Sequence, residues 1–247
     1  MEIRPYNVKY LYPILAFLIS FPALEAQTIR GDHLLDQSIQ YHDPNGLWAT
    51  FKSSFTLYAE RPDRETKVTK LNFDRTQTYF ELSEYAESNY WTASFAQDQC
   101  RIRFNGSEDF SSEIKQTYGL NCERMKRYRD YYTYLMGLPM KLKDPGTLIA
   151  SQGILIERQG TSYWMLKVTY EPEVGSDTWY FYFDTETFAL KQYQFFHNEA
   201  KNDGEYIILE EEIEIGGIRM PKKRSWYYNS DQTYLGTDHL AKQNMDL

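Results

Sequence analysis

The chain has 247 residues, 42% of them hydrophobic, 17% aromatic and 25% charged, with a formal net charge of −8. That acidity argues against nucleic acid as a partner, whose phosphates need a basic face. The 22 tyrosines favour pleated, half-buried strands, and no Ser/Gly-rich linker, charge block or internal repeat divides the chain.

Arg4 and Lys9 precede an uncharged, mostly apolar run over residues 10–24, and Ala26 offers a small residue at a cleavage point. Residues 1–26 therefore read as a secretory signal peptide, and 27–247 as a single β domain exported to the periplasm or the extracellular space. The competing reading is a membrane anchor, which needs roughly 20 apolar residues. This run is shorter and holds Pro13 and Pro22.

Asp32 is the expected cap of a first helix reaching about Tyr41, with Leu34, Leu35, Ser38 and Ile39 along one side. Asp43-Pro44-Asn45-Gly46 has the residues of a type I turn. From Trp48 the pattern alternates, Phe51, Ser53, Phe55 and Leu57 against Thr50, Lys52, Ser54 and Thr56, which is a strand with one wet face. Residues 65–73, 78–85, 90–96 and 99–104 continue as an antiparallel meander. Ser107 is expected to cap a second helix ending at Gly119.

A longer helix follows. Asn121 is its expected cap, Glu123 complements the first turn, and Cys122, Met125, Tyr128, Tyr132, Leu135 and Met136 share one face. Gly137 is expected to turn left-handed and Pro139 to stop the helix. Such a helix should lie across a sheet and cover it. Strands resume at 153–157, 163–171, 178–184, 188–197, 205–215, 218–228 and 232–240. Trp164, Leu166, Val168 and Tyr170 share a face of the second of these. Trp179-Tyr180-Phe181-Tyr182-Phe183 is apolar on both faces and needs cover on both; the long helix is the candidate for the second face.

Cys100 and Cys122 are the only cysteines. In an oxidising compartment such a pair is expected to bridge, closing a loop of about 23 residues and contributing about 3 kcal/mol. Glu210, Glu211, Glu212 and Glu214 resemble a calcium or acid/base cluster, but the next strand offers a simpler account. If Gly216-Gly217 is a two-residue hairpin loop, Glu214 faces Arg219, Glu211 faces Lys222 and Glu210 faces Lys223. The same register sets Ile215 against Ile218, Ile213 against Met220 and Ile207 against Trp226. His33, His42, His197 and His239 show no ligand spacing and read as turn or surface residues; no catalytic motif, metal site or cofactor site is recognised.

The run Tyr182-Phe183-Asp184-Thr185-Glu186-Thr187-Phe188 and the glycine hairpin ending at Pro221 resemble the periplasmic lipoprotein-localisation carriers (LolA/LolB-like), as does the order of helix, meander, central helices and second meander. His42-Asp43-Pro44-Asn45-Gly46-Leu47-Trp48 and the stretch 131–147 resemble a family of exported bacterial proteins of unknown function, over nearly the whole mature chain. That family implies no activity. The carrier resemblance implies a mainly β (α+β) fold, a highly curved, unclosed antiparallel β-barrel covered by central helices, with a cavity for acyl chains. The long helix would then be a lid, with Met125, Tyr132, Leu135 and Met136 facing the sheet and Trp164, Trp179 and Phe181 as opposing walls. A carrier implies an apolar small molecule or lipid as ligand, no cofactor, and peripheral or transient membrane contact. Two other classes stay open: a secreted or surface module recognising glycan or protein over a packed core, and an enzyme without a recognisable motif. Ligand identity and oligomeric state are not encoded in any motif.

Overall fold

The structure is a computed structural model that describes residues 27–86 and 88–242; the expected signal peptide lies outside them. In chain order the elements are β1 (Thr28–Arg30), α1 (Gly31–His42), β2 (Lys52–Glu60), β3 (Lys67–Asp74), β4 (Tyr79–Ala86), β5 (Asn89–Ala96), β6 (Gln99–Phe104), α2 (Ser112–Tyr118) and α3 (Cys122–Met136). They continue as β7 (Thr147–Ile149), β8 (Gln152–Arg158), β9 (Thr161–Tyr170), β10 (Thr178–Asp184), β11 (Leu190–Phe196), β12 (Glu205–Ile215), β13 (Ile218–Tyr228) and β14 (Tyr234–Lys242). All strands join one antiparallel sheet in the order β1-β8-β9-β10-β11-β12-β13-β14-β2-β3-β4-β5-β6, with β7 added to β9. The two meanders meet where β14 pairs with β2. The sheet curves without closing into a barrel, and its inner face shares one hydrophobic cluster with α1 and α3.

The glycine hairpin has the expected register. Glu214 pairs with Arg219, Glu210 with Lys223, Ile215 with Ile218, Ile213 with Met220 and Ile207 with Trp226. Glu211 adopts a positive φ of 53°, and its carboxylate takes both Lys222 and Lys223. Glu212 accepts the Tyr41 hydroxyl and approaches Lys191. The acidic run is therefore a solvated face with partners on neighbouring elements. Cys100 in β6 is bridged to Cys122 at the start of α3, so the open edge of the sheet is tied to the helix.

Several expectations are corrected. The first helix starts at Gly31 with Arg30 as its cap residue; Asp32 sits inside the first turn, its carboxylate drawn to the Arg30 guanidinium. Leu47–Thr50 is a short 3-10 turn, and the strand begins at Lys52. The second helix begins at Ser112, capped by Ser111, because Ser107 is drawn back into a bridge with Phe104. Gly137 is right-handed, with φ −90°; a Cβ there would stand 2.3 Å from the Trp48 ring, so glycine is required by close packing and not by a left-handed turn.

The aromatic strand β10 sends Trp179, Phe181 and Phe183 toward the core, where α3 lies. Its second face is covered by side chains from β8, β9 and β11, not by the long helix. The Arg158 guanidinium lies over the Tyr182 ring, and Gln194 accepts from the Tyr182 hydroxyl. Lys167 lies over the Tyr180 ring. Long polar side chains can cover a ring with their stems while their heads stay wet.

His42, expected at a turn or surface, is 1% exposed. Its Nδ1 lies 2.7 Å from the Arg219 carbonyl oxygen, and its Nε2 accepts from the Leu190 N–H at 2.9 Å. One partner can only accept and the other can only donate, so the ring is the neutral tautomer with hydrogen on Nδ1. Burial pushes its pKa down from the ordinary 6.5.

Candidate functional site

The site is built on α3. The Asn121 Oδ1 accepts from the Arg124 N–H at 2.9 Å, capping the helix beside Glu123 in the first turn. The stripe Met125, Tyr132, Leu135 and Met136 is buried, as helical spacing requires of a core-facing row. Tyr131 and Tyr134 lie beside that stripe and border open space.

Three solvent-open clefts share Tyr134 as a wall. The largest, about 740 Å³, runs between α3, the β3–β4 turn and the β5–β6 turn; its walls include Phe73, Arg75, Tyr79, Arg129 and Tyr131. The second, about 480 Å³, lies where α3 meets the second meander and is walled by Tyr131, Leu135, Trp179, Phe195, Trp226 and Leu235. The third, about 300 Å³, is bordered by Pro145, Tyr170, Val174 and Trp179. Tyr131 keeps 44% of its surface accessible, and that surface is cleft wall. The surrounding protein desolvates the phenol and holds its pKa well above the ordinary value.

The aromatic wall is ordered by cross-strand stacking. Trp179 and Phe195 face each other in the β10–β11 ladder with ring centroids 4.9 Å apart, and Tyr134 meets Trp179 edge-on at 5.5 Å. The Tyr134 and Tyr170 hydroxyls are hydrogen-bonded to each other. Burial raises both pKa values, that of Tyr170 to about 12, so both phenols stay neutral.

Charged groups stand at the rim of the 480 Å³ cleft. Arg61 donates to Asp238 at 2.7 Å, and the Trp226 Nε1–H donates to the same carboxylate at 3.0 Å. His197 pairs with Asp177, which raises the imidazole pKa, while burial raises that of Glu205. An apolar body with a polar end fits such walls and rim. The described residues include no group of three or more His, Cys, Asp or Glu able to hold a metal ion.

Of the residues singled out from the sequence, Leu135 and Trp179 meet in the 480 Å³ cleft. Met125, Tyr132, Met136 and Phe181 fill the core. Trp164, partly buried between Leu155 and Phe183 in the ladder, walls none of these clefts. Sequence reasoning did not single out Tyr131, Tyr134, Phe195, Trp226 and Arg75. The two tyrosines border the apolar stripe of α3, which was the available signal; Phe195 requires the β10–β11 register, and Arg75 carries none.

The architecture is a curved, open antiparallel sheet with a central helix and aromatic clefts between them. The chain belongs to the DUF6503 family, a family of unknown function, whose profile it matches over residues 9–243. No curated protein matches it. Among solved structures it is similar to a LolA superfamily protein from Nitrosomonas europaea, with 8% identity and a TM-score of 0.48, over 88% of this chain and 95% of that one. It is also similar to a DUF1329 family protein from Desulfovibrio piger, with 9% identity and a TM-score of 0.49, over 88% and 95% of the two chains. At such values no functional property of either is carried over.

Proposed function

We propose that the protein is an exported, non-catalytic binding or carrier protein for an apolar ligand, a lipid or other acyl-chain molecule, held between α3 and the inner face of the sheet. The observation that carries this reading is the 480 Å³ cleft, walled by the aromatic and aliphatic side chains of Tyr131, Tyr134, Leu135, Trp179, Phe195 and Trp226 under a helix. Small-molecule sites are concave, mostly apolar and about 300–1,000 Å³ in volume. The disulfide fixes one end of α3, leaving the helix as cover. In this reading membrane contact is peripheral or transient, at delivery or uptake; no helix of the described residues is long and apolar enough to cross a membrane.

The test is titration of the folded protein with a neutral fluorescent apolar probe. Wild type should take up the probe, and Leu135→Asp should lose uptake, because a charge buried without a partner is strongly disfavoured. Thermal unfolding measured alongside separates lost binding from lost fold. A wild-type protein that takes up no apolar probe, with a Leu135→Asp variant that merely unfolds, removes the carrier reading.

The second reading, a surface recognition module for glycan or protein, has its own support. On the sheet face opposite α3 a cleft of about 310 Å³ is bordered by Arg158, Tyr163 and Tyr206, and Tyr85 and Tyr90 form an exposed stack. Failure of the probe titration favours that module.

A further inference from the structure

The 740 Å³ cleft contains a cation that the described residues leave unmatched. Arg75 opens the 3-10 turn Arg75–Gln77, its backbone N–H fixed to the Phe51 carbonyl at 3.0 Å, and its guanidinium lies 4.5 Å from the centre of the Trp48 ring. The other cations of the cleft are satisfied. Arg129 holds Asp98 and Asp130, and Lys141 holds Asp144. The neighbouring carboxylate, Asp74, is committed to Lys52 and to the N–H groups of Thr76 and Gln77. Arg75 has no ion pair among the described residues, and its Nε is buried without an acceptor. Burial lowers its pKa, with Asp144, already bound by Lys141, as the opposing influence. A guanidinium stacked on an indole, walling a cleft and lacking an acceptor, is poised for a planar or tetrahedral oxyanion.

Building on the apolar-ligand reading, we propose that the ligand is an anionic amphiphile whose carboxylate or phosphate head is bound by Arg75, with the chain running past Tyr131 and Tyr134 toward Trp179 and Trp226. The two tyrosines wall both the Arg75 cleft and the Trp226 cleft, so a molecule lying along them would reach the cation at one end and the apolar surface at the other. The remaining charges of the Arg75 cleft are paired, so head-group preference rests on this one residue.

The experiment is displacement of the neutral fluorescent probe by four single-chain competitors of equal length: hexadecanoate, hexadecyl phosphate, hexadecanol and hexadecylamine. At least one anionic competitor should act at concentrations about tenfold below hexadecanol, the size of one charge-assisted hydrogen-bonded contact. The more effective of the two anions identifies the head as carboxylate or phosphate. Hexadecylamine should be the weakest. Arg75→Gln should remove the anionic preference, making anionic and neutral chains of equal length equally effective, and thermal unfolding measured beside it shows whether the fold is intact. Arg75→Lys should retain part of the preference. Inorganic phosphate alone should not displace the probe; displacement as effective as that by the amphiphiles would overturn the proposal in favour of a bare anion site. Equal potency of anionic and neutral chains in wild type, or an anionic preference that survives in Arg75→Gln, would overturn the head-group assignment and leave the apolar cleft standing. A wild-type protein that binds no probe would overturn both.

Discussion

Neutral His42 bridges two strand backbones with both ring nitrogens, and protonation requires Nε2, the atom that accepts from Leu190. Its folded pKa lies below the ordinary 6.5, so the unfolded chain takes up the proton first as pH falls. The stabilisation is fully present above 6.5 and is lost as pH drops toward the depressed folded value. His197 acts in the opposite sense: its pKa is raised by Asp177, so its contribution is present in acid and lost as pH rises through the raised value. It is largely exposed, so that contribution is small. Urea unfolding from about pH 7 down to about pH 5 should therefore show falling stability in wild type and a flatter profile in His42→Gln, which starts lower at neutral pH. Equal slopes in the two proteins would contradict the assignment. Gly137 is a second position where one atom matters: Gly137→Ala drives a methyl into the Trp48 ring and should cost about 1–3 kcal/mol in chemical denaturation. Neither role was legible in the sequence. The partners of His42 lie 177 and 148 residues away, and Trp48 reaches Gly137 only through the fold, whereas a glycine after a helix normally signals a left-handed cap.

Elements whose neighbours are close in sequence were legible. The register of the β12–β13 hairpin can be read from the sequence because charge faces charge and isoleucine faces apolar partners on either side of Gly216-Gly217. The helix α3 has its expected cap and inward stripe, and the Cys100–Cys122 bridge ties it to edge strand β6. Two free thiols available to alkylation in the unreduced folded protein would contradict that bridge; an intact-mass difference of two hydrogens on reduction is expected. Replacing both cysteines by serine should lower stability by about 3 kcal/mol, read from urea unfolding with the slope fitted separately for each protein, since loss of the cross-link expands the unfolded chain. The short strands β1 and β7, of three residues each, had no periodicity to betray them. The cover over the outer face of β10 was misassigned to a helix because Arg158 and Lys167 read as ordinary exposed cations until the sheet lays them over the Tyr182 and Tyr180 rings.

At the scale of the molecule, curvature of the sheet brings strands from both meanders to one helix, and the clefts are what remains between them. The inward row of α3 was legible from its spacing, but a helix stripe reports what is packed, and the packed residues Met125, Tyr132 and Met136 are core. The cleft walls include the residues just off that stripe, Tyr131 and Tyr134; of their partners, Phe195 comes from a strand whose register only the folded sheet sets, while Trp226, whose pairing with Ile207 was legible, reaches the cleft only through the curvature of the sheet. The same cleft predicts that Trp226→Ala weakens apolar-probe uptake while also lowering stability by about 3–5 kcal/mol, since the indole is 7% exposed and sits against Tyr193. The most direct measurement is photo-cross-linking with a diazirine-bearing hexadecanoate, followed by peptide mapping of the labelled residues. The clefts predict label on Tyr131, Tyr134, Leu135, Trp179, Phe195 or Trp226. Label concentrated on Tyr85, Tyr90, Tyr228 and Tyr234, with those inner walls unmarked, would contradict ligand binding beneath the helix.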